Sequence, residues 1–590
     1  MDGQEPELIK VPSGKSAEGT WTVQYKKRFL YSKYNPQKNI LAAVQSLELL
    51  PQTLVLAFSP CLFYGHKELR EKCRASDSEI LWVEAEGALK DLEERVIKER
   101  ALNERLFSFG QNAAKSLDDF FRASSKKFKR VVRLDFSAGV SFNESFYKNF
   151  FEAAQNIAAA FWKNRLTLVR LGRLYSQNLF KNLEAAASCV PFEALEKSVK
   201  KQIVVCGAGE SLDQLTGAAK KMGGDFLESF KRNFFVIAVD AALPALLSAG
   251  IKIDAAVATE SQLAIEKAYI GIKKSGEANK GFESQKPDEP FFFFDLTSRP
   301  QIARRFKNKS FYFSAFDQNA FLGRLQEQGL LPYTAPPLGS VGLTAAYLAM
   351  KLRKDSGVPI YVTGLDFSFS AGRTHAKGTA QSKARFLSAG RLNATENFRA
   401  AYSPGSQKIL GKGQKEIWTS KNLLGYALLF RQFFEGAQNL FDVGNCGIDL
   451  GLERKDFDQI IFKGQDRGKD FGQNLDSFFA AAGQGFEGGK NKERIEKCRA
   501  FLESELKELK DLADLLSNGE KSAGRDKSLS LDNQILSALK GREYLFLHFP
   551  DGTEAKAERS FLARVRSQID FFAKDIETAL TASTLRPRLT

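Results

Sequence analysis

The sequence predicts an α/β protein with a central, doubly wound, Rossmann-like parallel sheet domain. A smaller Rossmann-like α/β domain precedes it and a helical C-terminal domain follows. Three observations carry this prediction. Short apolar runs of strand length alternate with helical stretches through most of the first 450 residues, the habit of parallel strands buried on both faces. Two of these runs, 203–206 and 360–363, break directly into glycine-rich bends. Beyond residue 451 the apolar positions recur at three and four, which marks helices. A chain of 590 residues exceeds one core, and the boundaries are placed at 1–190, 191–450 and 451–590.

The first domain begins with a strand at 53–58, a turn at 59–66, a helix from Lys67 and a second strand at 80–84 that ends in Glu84. An acid at that place can bind a ribose. The turn, SPCLFYGH, lacks the closely spaced glycines that let a backbone approach a pyrophosphate, so this domain reads as degenerate, a scaffold. A third strand at 131–135 precedes a long helix, 146–187, rich in Ala, Phe and Leu, that bridges to the next domain.

The central domain opens on QIVVCGAGESLDQL, residues 202–215. An apolar strand runs into Gly207-Ala208-Gly209, then Glu210-Ser211, then a helix. Glycines free the backbone to turn and to expose N–H groups, and the helix start adds the positive end of its dipole, so the bend suits a phosphate. A dinucleotide fingerprint needs a third glycine where Leu212 stands, and no G-x-x-x-x-G-K is present. An NAD enzyme and a Walker-type ATPase both lose ground.

Strands at 234–239, ending in Asp240, at 253–258, leading to Glu260, at 291–294 and at 311–313 follow, with a polar insert at 273–290. Next comes LGSVGLT, residues 338–344, opening a helix whose start offers open N–H groups together with the Ser340 and Thr344 hydroxyls beside Gly342. The strand at 360–363 ends in Gly364-Leu365-Asp366-Phe367, which puts Asp366 just past a carboxyl end, where doubly wound folds hold ligands. His375 lies in the glycine-flanked loop AGRTHAKG directly afterwards. An imidazole there titrates near neutrality and suits proton transfer.

In the last domain, Ile495, Cys498, Leu502, Leu506, Leu509, Ala513 and Leu516 define a helix that Asn518-Gly519 is expected to stop, and a final helix spans about 558–580. The formal charge of +16 favours anionic partners. Basic clusters such as Lys26-Lys27-Arg28 are short and scattered, so they read as solvated surface and no nucleic-acid partner is expected. The six cysteines are far apart, without a CxxC pair or neighbouring histidine, which argues against zinc or a disulfide framework. The opening MDGQEPELIK is unlike a signal peptide, and no apolar run approaches bilayer length. A cytoplasmic protein with no membrane partner is the expectation. The 50 phenylalanines have no functional reading.

GAGESL, VIAVDAALPALLSAGIKID, LGSVGLTAAYLAMKL, IYVTGLDF and THAKG occur in the order seen in the motility-associated, flagellin-modifying glycosyltransferases, which the chain resembles over about residues 200–450. The segments WTSKNLLGY and NLFDVGNCGIDLG also look like that family, and the core is similar to bacterial sialyltransferases that use CMP-sialic acid. The resemblance implies transfer of a nonulosonic acid, of pseudaminic or legionaminic type, from its CMP-sugar to Ser or Thr hydroxyls of flagellin. By position it implies donor contacts at Gly207, Gly209 and Ser211, a second phosphate-facing element at Ser340, Gly342 and Thr344, a cytidine contact at Asp366 and His375 beside the reacting centre. Asp240 and Gly364 join the substrate-binding set. Departures include Glu210 for a common proline, Glu260 for the usual aspartate, and Phe367 and Phe369 near where the sialyltransferases have tyrosines.

The predicted base for the acceptor hydroxyl is His375, with Glu260 in reserve. The only donor molecule expected is the CMP-sugar, with no cofactor and no essential metal, because a monophosphate leaving group does not demand one. The long basic stretch 370–413 is expected to form a lid. Two other readings stand beside this one: a pterin diphosphokinase, which shares the GAG-S-L and G-D elements, and a non-catalytic flagellin-binding or secretion-assisting protein.

Overall fold

The structure, a computed structural model, describes residues 5–11, 20–102, 104, 106–107, 113–124, 128–272, 290–306, 309–316, 319–457, 460, 490–521 and 525–584. Most of the polar insert at 273–290 therefore lies outside the described residues. The chain divides into two compact units, Met1–Leu168 and Val169–Thr590, and the division falls within one long helix, Glu144–Ser188.

The first unit starts with an antiparallel sheet that the sequence does not predict: β1 (Glu7–Lys10), β2 (Trp21–Tyr25) and β3 (Arg28–Phe29). Its main sheet is parallel, with β4 (Thr53–Phe58), β5 (Glu79–Val83), β6 (Leu106–Phe107) and β7 (Arg130–Asp135) in the order β6-β5-β4-β7. Alternation along β4 explains why the run is apolar throughout. Leu54, Leu56 and Phe58 enter one core, and Val55 and Ala57 enter the other.

The turn after β4 has a single glycine, Gly65, at positive φ, and also holds Ser59, Cys61 and Phe63 in the left-handed region, at about 1–2 kcal/mol each. The chain's own Glu93 carboxylate accepts the Cys61 N–H at 2.6 Å, and Glu84 accepts the Tyr147 hydroxyl and the Glu86 N–H, each at 2.8 Å. Glu84, the acid read as a ribose contact, is thus engaged inside the fold.

Among the described residues, the large sheet of the second unit has nine strands: β8 (Gln202–Cys206), β9 (Phe234–Val239), β10 (Ala255–Ala258), β11 (Phe291–Asp295), β12 (Ser310–Ser314), β13 (Tyr333–Thr334), β14 (Ile360–Thr363), β17 (Leu440–Asp442) and β18 (Glu453–Arg454). Between β14 and β17, β15 (Ser406–Leu410) and β16 (Glu416–Ser420) form a separate antiparallel hairpin. The order in the large sheet is β13-β12-β11-β10-β9-β8-β14-β17-β18, and every neighbouring pair is parallel. From β8 the chain lays strands outward along one side, then crosses back to place β14 on the other. The reversal between β8 and β14 is where a doubly wound sheet opens its crevice, and both glycine bends lie there.

Helices Lys490–Lys521, Arg525–Leu539 and Arg559–Thr584 form the predicted helical region, inside this second unit. The first continues through Gly519, where the sequence predicts a stop. One interior glycine costs a helix about 1 kcal/mol, which the buried Leu502, Leu509, Leu512 and Leu516 upstream outweigh. This helical region packs on the long helix Glu144–Ser188 through Phe572 and through Tyr544 of the 543–545 turn, whose rings meet Phe180, and on the helix Ala320–Glu327 through Glu505, which is fully buried and accepts from Arg324 at 2.6 Å. No helix among the described residues is long and apolar enough to cross a membrane.

Candidate functional site

At the β8/β14 reversal, backbone meets backbone. The Gly207 N–H donates to the Thr363 carbonyl and the Gly209 N–H to the Gly364 carbonyl, each at 2.8 Å. A Cβ on Gly207 would lie 2.2 Å from the Gly364 oxygen, and one on Gly364, which has φ +70°, would lie 2.3 Å from the Gly207 oxygen. The glycines here serve close approach, and two of the amides read as a phosphate cradle are engaged by the next strand. Among the described residues, the amides of this bend with no hydrogen bond to backbone or side chain are those of Ala208 and Glu210, since Ser211 donates to Asp366. Leu365 is the wedge between the two bends, since a Cβ on Gly207 or on Gly342 would come within 2.6 Å or 2.5 Å of its Cδ2.

Asp366, read as a cytidine contact, is 2% exposed. One carboxylate oxygen accepts the Ser211 N–H at 2.8 Å and the other accepts the Ser211 hydroxyl, which itself accepts the Gly364 N–H at 2.8 Å. Burial pushes the Asp366 carboxyl up to about 6, against the pull of the Ser211 hydrogen bonds and of Lys412. Beneath it, Lys412 and Asp442 form an ion pair at 2.7 Å, each side chain 2% exposed. The Lys412 N–H donates to Gly447 O, and the Ile448 N–H donates to Asp366 O. Ser211, Asp366, Lys412 and Asp442 therefore clasp the ends of β8, β14 and β17 together.

The His375 loop packs on the first bend. The Ala376 N–H donates to Ala208 O at 2.9 Å, and the Lys377 N–H to Asp213 Oδ1 at 2.8 Å. Arg373 spans two acids, Glu210 at 2.8 Å and Asp213 at 2.6 Å, while Ser370 donates its backbone N–H and its hydroxyl to Glu210. His375 Nδ1 lies 2.9 Å from Thr374 Oγ1. Burial lowers its pKa below the ordinary histidine value, with the Glu210 charge opposing. Three residues on, Gly378 reaches the helix Leu243–Ser248 that follows Asp240, where a Cβ would be 3.4 Å from Ala245 Cα.

Asp240, at the tip of β9, is 3% exposed. Its Oδ1 accepts the Ala241 N–H at 2.7 Å, but Oδ2 is buried with no partner among the described residues, as is the hydroxyl of Tyr269 nearby. Burial pushes the Asp240 carboxyl up to about 7, and the charge of Glu260 adds to the effect. Glu260, past β10, accepts the Gln262 N–H and raises the Tyr175 phenol, which burial has already pushed up, to about 12.

Ser340 caps the helix Val341–Leu352 without a side-chain hydrogen bond, whereas the Thr344 hydroxyl is tied to Ser340 O at 3.2 Å. The Tyr426 ring stands against Gly339, where a Cβ would be 3.3 Å away, and packs on Phe367. Sequence reading missed Leu365, Lys412, Arg373, Tyr269, Tyr175 and Tyr426. Tyr426, Leu365 and Arg373 stood in quoted segments, WTSKNLLGY, IYVTGLDF and AGRTHAKG, without a role of their own.

The parallel sheet, the bends at its reversal and the helical tail define an α/β protein whose fold is that of a Maf glycosyltransferase structure. Residues 177–372 match the family model described as 6-hydroxymethylpterin diphosphokinase MptE-like. The structure of MAf glycosyltransferase from Magnetospirillum magneticum AMB-1 aligns with a TM-score of 0.54 at 13% identity, covering 99% of this chain and 94% of that one. At that identity the likeness is one of fold. A Treponema pallidum (strain Nichols) protein described as uncharacterized is 29% identical over 581 residues, 96% of this chain and 94% of its own length.

Proposed function

We propose that the chain is a glycosyltransferase that moves a nonulosonic acid from its CMP-sugar to Ser or Thr hydroxyls of flagellin. The observation that carries this reading is the convergence at one sheet reversal of the Gly207–Ser211 bend, the open start of the helix Val341–Leu352 and the loop bearing His375. As CMP leaves the anomeric carbon, positive charge grows on the sugar and negative charge on the phosphate. The Ala208 and Glu210 amides, the Ser340 hydroxyl and the first-turn N–H groups of that helix are the donors for the phosphate.

His375, kept neutral at physiological pH by its burial, takes the proton of the attacking hydroxyl as its oxygen bonds to the anomeric carbon. Glu260 is the reserve base beside Asp240. Ser211 and Asp366 hold the bends in place, and no metal or other cofactor enters the step. The test is purified protein with flagellin and CMP-pseudaminic or CMP-legionaminic acid, read by intact flagellin mass. Whole-sugar mass increments, persisting with chelator, are expected. Unchanged mass with both donors overturns the reading.

The matched family model favours a second reading, diphosphate transfer from ATP to a hydroxymethylpterin. That reaction needs ATP and Mg²⁺ and forms AMP, so AMP in place of CMP as product distinguishes it.

A further inference from the structure

We propose that the excursion between His375 and β16 is a docking platform for an acidic acceptor polypeptide with an apolar face. The proposal rests on the transferase reading above and names where its protein substrate is held.

The excursion is folded yet shows apolar side chains to solvent. The helix Ala380–Leu387 buries none of its residues, and Phe386 and Leu387 stand exposed at its end. Leu392 is 99% exposed, and Phe398, Tyr402 and Leu410 continue the surface. Isolated exposed apolar residues are ordinary, but six within 25 residues of one folded excursion is a density that an interface accounts for.

The geometry holds these side chains out. Gly390 and Asn393 exchange backbone hydrogen bonds at 2.9 and 3.1 Å, so Arg391-Leu392 form the tip of a tight hairpin. Asn393 Nδ2 donates to Ser388 O at 2.7 Å, and Arg385 donates to the carbonyls of Thr395 and Glu396, bracing the tip from behind. A pre-ordered apolar tip loses little entropy on binding.

Charge and position choose the occupant. From Lys383 to Lys408 there are five cations (Lys383, Arg385, Arg391, Arg399, Lys408) against one anion, Glu396. The complementary surface is therefore acidic. A second copy of this chain, itself at +16, repels the patch. A lipid surface is best met by one continuous apolar helix face, whereas these residues sit on a helix end, a hairpin tip, the short helix Phe398–Ala401 and a strand.

The platform is also rooted in the site. The Asn397 N–H donates to Gly372 O, three residues before His375, and the helix Ala380–Leu387 touches the turn that begins at Asp240. A chain lying on the platform presents its hydroxyls to that crevice.

The experiment uses the full chain in two forms, Phe386→Ser/Leu392→Ser and Arg391→Glu/Arg399→Glu, beside the parent. Affinity for purified flagellin is measured by biolayer interferometry at low and high salt, and CMP release from CMP-sugar is measured without acceptor. Each variant is expected to bind flagellin about tenfold more weakly. The deficit of the charge variant shrinks at high salt. CMP release stays within about twofold of the parent, since no residue at the reacting centre is altered. Affinity equal to the parent in both variants overturns the platform. So does parent binding to phosphatidylserine vesicles, or a parent dimer, that the substitutions abolish while flagellin affinity holds. If the parent neither releases CMP nor transfers sugar, the transferase reading fails, and the affinity comparison still decides the platform.

Discussion

Arg373 joins Glu210 through an Nη2–Oε2 contact of 2.8 Å, and with it the loop bearing His375 is tied to the first glycine bend. The same guanidinium reaches Asp213, so a single planar cation spans two acids one helical turn apart. The pair is a third exposed and its stability contribution is about 1 kcal/mol or less. Its work is positional. Arg373→Ala is expected to lower transfer about a hundredfold with little change in Tm. Arg373→Lys recovers only part, because an ammonium cannot fork between two carboxylates. Transfer rates and thermal melts of both variants check this.

His375→Ala tests the base. Transfer is expected to fall about 10²- to 10⁴-fold while flagellin association survives. Because burial lowers the His375 pKa, the acid limb of the parent's rate profile lies below the ordinary histidine range: activity is lost as pH falls through that pKa and the ring is protonated. A fully active alanine variant, or an acid limb centred above pH 7, removes His375 from this role.

The Lys412–Asp442 pair makes a stability prediction. Lys412→Met leaves Asp442 charged and buried without its cation, at an expected cost of about 3–5 kcal/mol. Adding Asp442→Asn removes that charge and recovers at least half of the loss. Urea unfolding of the four forms gives the coupling directly. Additive losses mean the pair is not buried as described.

Asp240 predicts a pH dependence. In the folded chain its carboxyl keeps a proton up to about pH 7, whereas an unfolded aspartate releases it near pH 4. Between those values the folded state binds more protons, so this group's contribution to stability falls as pH rises. Asp240→Asn keeps the oxygen that accepts the Ala241 N–H and removes the titration. The variant is expected to gain about 1–3 kcal/mol on the parent between pH 4 and pH 8. Melts at both pH values check it, and an equal difference at the two overturns it.

Much of the sheet was legible because β8, β9, β11 and β14 are built on apolar runs with glycine or an acid at one end. Those residue types report local backbone needs, so the bends at 207–209 and 364 were legible too. Their partners were not. Leu365 is an ordinary apolar residue until Gly207 and Gly342 are seen against it, and Lys412 is one lysine among many until Asp442 lies 2.7 Å away. The β15/β16 hairpin was hidden because its first strand, Ser-Gln-Lys-Ile-Leu, carries little apolar alternation. The helix past Gly519 was misread because propensity there yields to packing upstream.

The crossing of Gly207 and Gly364 is made of main chain alone. Such a seam has no side chain to trade, so neither partner can change and let the other compensate, while every neighbour is free to drift. A scaffold fastened in this way can be handed from one donor chemistry to another with its architecture intact. That is the kind of fastening a fold needs to persist at 13% identity.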